Sequence, residues 1–279
     1  MTSAAHNLSQ RFSKKRVFIT GAASGLGLAC AEILAREGWQ LVLTDVDALR
    51  LDLVASNFMR DGVRVAAAAC DVRDSEAVTR LVESAIESLG GIDVSINCAG
   101  VALVGPFHAS TAEEWDWIFG INTHGVANVS RSIVRHMAEG TGGLVINIAS
   151  IAGICTGANM SAYNASKAAV IALSESLMQE YGQSGVQVVV AMPGFFRTRL
   201  VETARGSKRA ITAAARLIED SGLSAEEVAE QLLSAAARGQ THFVYPPKYR
   251  IFWCLKRLMP QYFQTFFPRL VSSRNGGRS

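Results

Sequence analysis

Short apolar runs rich in β-branched residues alternate along this chain with longer segments of helical period. Runs at 17–20, 41–44, 63–69, 93–97, 144–149 and 186–191 predict strands. Between them, 26–37, 48–60, 75–89, 112–137 and 161–181 repeat apolar positions every three to four residues and predict helices. The strand runs are nearly continuous in apolar residues, as expected of parallel strands covered on both faces. Right-handed crossovers then imply an α/β fold, a doubly wound parallel sheet of Rossmann type in a single domain. The alternation stops after Pro193. Residues 195–222 are rich in small side chains and fit no period, 225–238 reads as a helix, and 241–245 reads as one more strand. These patterns divide the chain into an N-terminal arm at 1–15, the sheet domain at 16–246 with a lid at about 195–222, and a C-terminal amphipathic extension at 247–279.

Composition narrows the class. Half the residues are apolar and 18% are charged, as in a water-soluble globular protein. The net charge of +3 is too small to point to nucleic acid. Its distribution is uneven: +4 on residues 1–16 and +7 on 248–279, which leaves −8 for the body between them. The five cysteines lie at 30, 70, 98, 155 and 254 among apolar or small neighbours. They read as reduced, buried thiols of a cytoplasmic protein. No cysteine or histidine grouping has metal-ligand spacing, the first residues lack the apolar core of a signal peptide, and no apolar run is long enough to span a bilayer.

The extension changes the picture at one end. Nine of the 21 aromatic residues fall within 243–267: Phe243, Tyr245, Tyr249, Phe252, Trp253, Tyr262, Phe263, Phe266 and Phe267. Lys248, Arg250, Lys256 and Arg257 interleave with them, and no acid follows His242. Rings and cations together suit peripheral contact with a membrane surface, roughly over 247–270. Packing on the subunit's own core, on the substrate pocket or on a partner subunit accounts for the same residues. Pro260 and Pro268 cut the stretch into pieces too short to cross.

Candidate chemistry starts at the first strand, which runs into Thr20-Gly21-Ala22-Ala23-Ser24-Gly25-Leu26-Gly27 and then a helix. Glycines there allow a tight turn and let a pyrophosphate approach the backbone, and the following helix N-terminus offers free N–H groups. Asp45 ends the second strand, where a carboxylate accepts hydrogen bonds from an adenosine ribose and repels a 2′-phosphate. No base lies in the glycine turn or directly after Asp45, so NAD is expected over NADP. A helix cap is the other use for an acid here, and Asp47 could serve it equally well. Asp71 and Val72, after the third strand, are placed to touch the adenine edge.

Tyr163 and Lys167 stand four apart on a predicted helix and share a face. A phenol titrates near 10, and a nearby ammonium favours the phenolate, so the pair makes a tunable proton donor. Ser150 ends the preceding strand, where a hydroxyl reaches the crevice beyond the sheet, although a turn residue would stand there as well.

Together these residues resemble the short-chain dehydrogenase/reductase family, in its simple one-domain branch, over roughly residues 16–200. The glycine turn matches the family's TGxxxGxG. Asn97-Cys98-Ala99-Gly100 matches its NNAG element, with Cys98 in place of the second Asn. Asn122 lies in the long fourth helix where the family places a catalytic Asn. Ser150 precedes Tyr163 by the family's thirteen residues, Tyr163 to Lys167 is its YxxxK, and Pro193-Gly194 with Thr198 matches the PG element over the nicotinamide. The resemblance implies an NAD cofactor held by Gly21, Ser24, Gly25, Leu26, Gly27, Asp45, Asp71, Val72, Asn97, Ala99, Gly100, Tyr163, Lys167, Pro193, Gly194, Phe196 and Thr198. It implies an alcohol–ketone oxidoreductase in which Tyr163 exchanges a proton with the substrate oxygen and Lys167 lowers its pKa. Ser150 would hydrogen-bond the substrate oxygen, and Asn122 would anchor a relay water. It also implies a homodimer or homotetramer paired through the fourth and fifth helices. Phe195, Phe196, Leu200 and Ile211 make the lid apolar and suit a small hydrophobic alcohol or ketone. A catalytically silent NAD-binding scaffold and a peripheral membrane module on the same fold are the competing readings. His108, His124, His136, Trp115 and Trp117 are expected in packing or surface roles.

Overall fold

A computed structural model describes residues 4–265. Phe266, Phe267, Pro268, Arg269, Arg274 and Arg278 of the expected extension lie outside them. The elements run α1 (Ala4–Arg11), β1 (Arg16–Thr20), α2 (Gly25–Arg36), β2 (Gln40–Asp45), α3 (Ala48–Arg60), β3 (Val65–Ala69), α4 (Ser75–Leu89), β4 (Val94–Asn97) and β5 (Leu103–Val104). Then follow α5 (Ala112–Phe119), α6 (Val126–Glu139), β6 (Gly143–Ile148), α7 (Ser161–Tyr181), β7 (Val186–Pro193), β8 (Arg205–Gly206), α8 (Lys208–Glu219), α9 (Ala225–Ala237), β9 (His242–Tyr245) and α10 (Lys248–Leu258).

The main sheet is parallel, in the order β3-β2-β1-β4-β6-β7-β9. Alternate residues of each strand feed opposite faces. Val17 and Ile19 pack with residues of α2, α3 and α9, whereas Phe18 packs with residues of α4 and α6. The chain leaves β3 at one edge and returns to β4 on the far side of β1. The order therefore reverses between β1 and β4, and the crevice at their carboxyl ends is where such sheets bind ligands. Register pairs Thr20 with Asn97 at that point, so the glycine turn and the Asn97–Gly100 element meet there.

Three expectations are revised. The N-terminal arm is not separate, because α1 packs on α9, buries Leu8 fully, and accepts the Trp39 indole N–H on Ser9 Oγ at 3.0 Å. The helix expected at 112–137 is two helices joined by a π-helical turn at Gly120–Gly125. Asn122 sets this widening. Its Nδ2 donates to the Val101 carbonyl and to Ser166 Oγ, both at 3.0 Å, and its Oδ1 accepts the Val101 N–H at 2.8 Å. Gly125 completes it, since a Cβ there would lie 2.5 Å from Val72. A 3.6-residue period cannot reveal one turn with an extra residue. Third, the cysteines are not uniformly buried: Cys254 is exposed on α10.

Beneath the crevice a polar ladder crosses the sheet. Asn97 Nδ2 donates to Asn147 Oδ1 at 2.7 Å and to Ser130 Oγ at 3.1 Å, and Asn147 Nδ2 donates to Ser174 Oγ at 3.0 Å. All four side chains are buried.

Candidate active site

A cleft of about 610 Å³ opens at the carboxyl ends of β1, β2, β4, β6 and β7. Its nucleotide end is built by the glycine turn. Gly21 has φ +63°, and a Cβ on it would lie 2.8 Å from the Ala99 backbone N. Gly25 has φ +55°, and a Cβ there would lie 2.9 Å from Thr198 Oγ1. Both positions therefore need glycine for conformation and for space. Thr20 Oγ1 accepts the N–H groups of Cys98 and Ala99, each at 3.1 Å, which fastens β1 to the facing wall. Ser24 is the N-cap residue of α2 and makes no side-chain capping bond. The result is bare backbone and a hydroxyl at a helix N-terminus, a surface suited to phosphate.

Asp45 lines the same end. Its Oδ2 accepts the Ala23 N–H at 3.0 Å, and its Oδ1 accepts the Asp47 N–H at 3.1 Å. The cap of α3 is Asp47, which accepts the Arg50 N–H at 3.1 Å. The capping role thus falls to Asp47 and not to Asp45. Asp71 and Val72 also line the cleft, but the Asp71 carboxylate is gripped by the Arg73 guanidinium at 2.6–3.0 Å, which holds it below its usual range. Arg50 and Arg73 also reach this end, from positions not directly after Asp45 in the chain.

Leu26, Ala99, Gly100, Pro193, Gly194, Phe196 and Thr198 line the cleft as well. Two expected cofactor contacts do not. Gly27 sits under the turn, where a Cβ would lie 2.3 Å from the Gly21 carbonyl oxygen, so its role is close packing. Asn97 belongs to the buried ladder, its amide consumed by Ser130 and Asn147. Cys98 replaces a residue on the cleft wall, and burial pushes its thiol up to about 12, so it stays protonated.

At the reaction end, Ser150, Tyr163 and Lys167 face one cleft. Ser150 follows β6, its Oγ accepting the Ala152 N–H at 3.1 Å and donating to the Pro193 carbonyl at 3.5 Å, with the Tyr163 phenol beside it. Lys167 is buried one turn along α7 from Tyr163. Its Nζ donates to the Ile148 carbonyl at 2.8 Å and lies 5.9 Å from the Tyr163 ring centroid. The expected depression of the tyrosine pKa is reversed here. Burial raises it, the neighbouring Ser150 hydroxyl opposes that rise, and the same burial lowers Lys167 to about 8. Desolvation penalises charge on both groups before either can help the other. Tyr163 therefore enters the cleft protonated at neutral pH, as a donor toward a carbonyl oxygen. Asn122 is fully buried behind this site, its amide bonded to Val101 and Ser166.

The substrate end carries residues that the sequence left undecided. Trp117, Met160, Leu200 and Ala204 pack around the buried cluster that contains Tyr163. The Arg205 guanidinium stacks on the Trp117 ring at 4.0 Å, placed there by the small parallel pair β5–β8. Phe195, Phe196 and Leu200 of the lid line the cleft, whereas Ile211 does not and Ala214 and Ile218 do. No sequence signal joins Trp117 to Arg205, because a two-strand pairing across 100 residues of chain creates the contact.

The chain's relatives agree with this architecture. A family profile described as short chain dehydrogenase matches residues 15–209. The cis-4-hydroxycyclohexanecarboxylate dehydrogenase of Sinomonas cyclohexanicum is 35% identical over 231 residues, covering 82% of this chain and 92% of that protein. A short-chain dehydrogenase/reductase from Burkholderia phymatum, solved with NAD, superposes with a TM-score of 0.82 at 30% identity, covering 87% of this chain and 92% of the other. A short-chain dehydrogenase from Sphingobium yanoikuyae, solved with NADPH, gives 0.77 at 29% identity, covering 90% and 94%. Sequence and fold thus place the chain in the short chain dehydrogenase family, as an oxidoreductase whose relatives use a nicotinamide cofactor.

Proposed function

We propose that this protein is an NAD-dependent dehydrogenase/reductase that interconverts a secondary alcohol and its ketone on an apolar, ring-sized substrate, with Tyr163 as the proton-exchanging group. The observation that carries this reading is that Ser150, Tyr163 and Lys167 line one cleft whose other end is a bare glycine cradle. The nicotinamide supplies the hydride when bound. The chain's own residues do the rest. Gly21, Ser24, Gly25 and Leu26 would seat the pyrophosphate, Asp45 the adenosine ribose, and Pro193, Gly194, Phe196 and Thr198 the nicotinamide end. Ser150 orients the substrate oxygen and donates to it as negative charge develops. Tyr163 gives that oxygen a proton in reduction and takes one in oxidation. Lys167, anchored on the Ile148 carbonyl beside the Tyr163 ring, would hold the nicotinamide ribose. Trp117, Met160, Leu200 and Ala204 exclude water from the substrate body, and the ring alcohol named for the Sinomonas relative fits such a surface.

Preference for NAD rests on Asp45, with support from its surroundings. The cations at this end face acids of their own, Arg73 the Asp71 carboxylate and Arg50 the Asp47 carboxylate at 3.8 Å, which compete with a 2′-phosphate for them. Steady-state kinetics on a panel of alicyclic secondary alcohols with both cofactors tests the reading. NAD should give the higher kcat/KM, and Asp45→Ala should narrow the gap by about tenfold or more, the size of one charged hydrogen bond. A native preference for NADP overturns the cofactor assignment. Tight NADH binding by fluorescence with no turnover on any alcohol would instead favour a silent scaffold.

A further inference from the structure

The tail is half committed. One face of α10 is anchored to the body: Tyr249 packs on Gly194, Phe252, Trp253 and Phe263 join a core cluster with Val190, Met192 and Val244, and Lys256 Nζ donates to the Ile154 carbonyl. The opposite face is apolar and open. On α10, Ile251, Leu255 and Leu258 follow one another at spacings of four and three, and Ile251 and Leu258 are 62% and 79% exposed. The helix is capped at Met259, and Met259 and Tyr262 beyond its last turn are exposed as well. At about 100° per residue, Arg250 and Arg257 flank this stripe on one side and Lys248 borders it on the other, and all three are exposed. No acid occurs in the 49 residues from Gln231 to the end of the sequence.

We infer that this outer face of α10 binds the surface of an anionic lipid bilayer. The aliphatic stripe would sit at the acyl boundary, with the three cations at headgroup level, while the inner face keeps the enzyme body attached. Charge selects this occupant over a second copy of the chain. An isologous contact through α10 would set the same basic face against itself with no acid to offset it. Exposed Ile, Leu and Met likewise offer nothing to a nucleic acid, where aromatic stacking and hydrogen bonds carry recognition. The helix is too short to cross, and no helix among the described residues is long and apolar enough to do so. Attachment is therefore shallow and reversible.

Co-sedimentation of the full-length protein with vesicles tests this. One set contains equal parts phosphatidylcholine and phosphatidylglycerol, the other phosphatidylcholine alone. The protein should pellet with the first, far less with the second, and less as salt rises. Arg250→Gln should weaken binding about fivefold, the worth of one basic residue at such a surface. The double variant Ile251→Ser with Leu258→Ser should weaken it at least about tenfold while melting temperature, turnover and sedimentation coefficient stay at wild-type values, since both side chains face solvent. Equal recovery with both vesicle sets, or no recovery, overturns the proposal. So does a double variant that pellets like wild type, or one whose oligomer falls apart, which would make the stripe a contact between copies.

Discussion

Replacing Tyr163 by Phe should leave the cofactor affinity unchanged and lower turnover by about 10²–10⁴-fold, the usual contribution of a positioned acid–base group. The substitution is mild in every other respect. The ring stays in its buried cluster with Ala102, Leu103 and Ile118, and only the phenolic oxygen is lost. Ser150 keeps its bond from the Ala152 N–H, so the substrate-orienting hydroxyl remains in place. Fluorescence titration with NADH and single-turnover rates on a responsive alcohol separate binding from chemistry. A variant retaining half the wild-type rate would remove Tyr163 from the proton path.

Lys167→Met should produce an enzyme that is inactive and more stable than the original. Burial lowers the lysine from 10.5 to about 8 in the folded chain. Each unit is worth about 1.4 kcal/mol, so the charged lysine costs the native state about 3 kcal/mol below that pH. Losing the charged Nζ bond leaves the buried Ile148 carbonyl unmet and counts about 2 kcal/mol the other way. The net gain is about 1 kcal/mol at neutral pH, or roughly 2–4 °C in melting temperature for a chain of this size. The sign fixes the pH dependence. Below about 8 both folded and unfolded wild type carry the proton, and the variant's advantage is constant. Between about 8 and 10.5 the unfolded chain binds a proton that the folded one does not. Wild-type stability therefore rises with pH there, and the advantage shrinks. Thermal melts across pH 6–10.5 would show this, and a variant that is less stable at pH 7 would contradict it. Turnover should fall at least about 100-fold, because the group that would hold the nicotinamide ribose beside Tyr163 is gone.

The sheet was legible because period and punctuation agreed along most of the chain. The helices Ala48–Arg60, Ser75–Leu89 and Ser161–Tyr181 fall where their apolar positions and flanking residues place them. Asp47 and Asp74 cap the first two, each through a side-chain bond to the first turn. The glycine turn, Ser150, Tyr163 and Lys167 were legible for a different reason: their spacing is itself the chemistry. Other features depend on contacts that no local window contains. The widened turn at Gly120–Gly125 comes from Asn122 reaching Val101 and Ser166. The direction of the Tyr163 and Lys167 shifts comes from burial, which residue spacing does not encode. Within the tail, counting aromatics left open whether the rings meet a membrane or pack on the protein. The structure turns Tyr249, Phe252, Trp253 and Phe263 toward the body and leaves mostly aliphatic side chains outside.

The buried ladder of Asn97, Ser130, Asn147 and Ser174 constrains how this protein can be recombined. Its rungs come from β4, α6, β6 and α7, four segments spread over nearly eighty residues of sequence. A chimera that takes one rung from a parent with an apolar core would strand the remaining amides and hydroxyls without partners, at about 1–3 kcal/mol for each group left unmet. Exchanging all four together incurs no such loss. Crossover points between residues 97 and 174 should therefore yield mostly misfolded progeny unless both parents carry the ladder, whereas junctions placed after α7 should be tolerated.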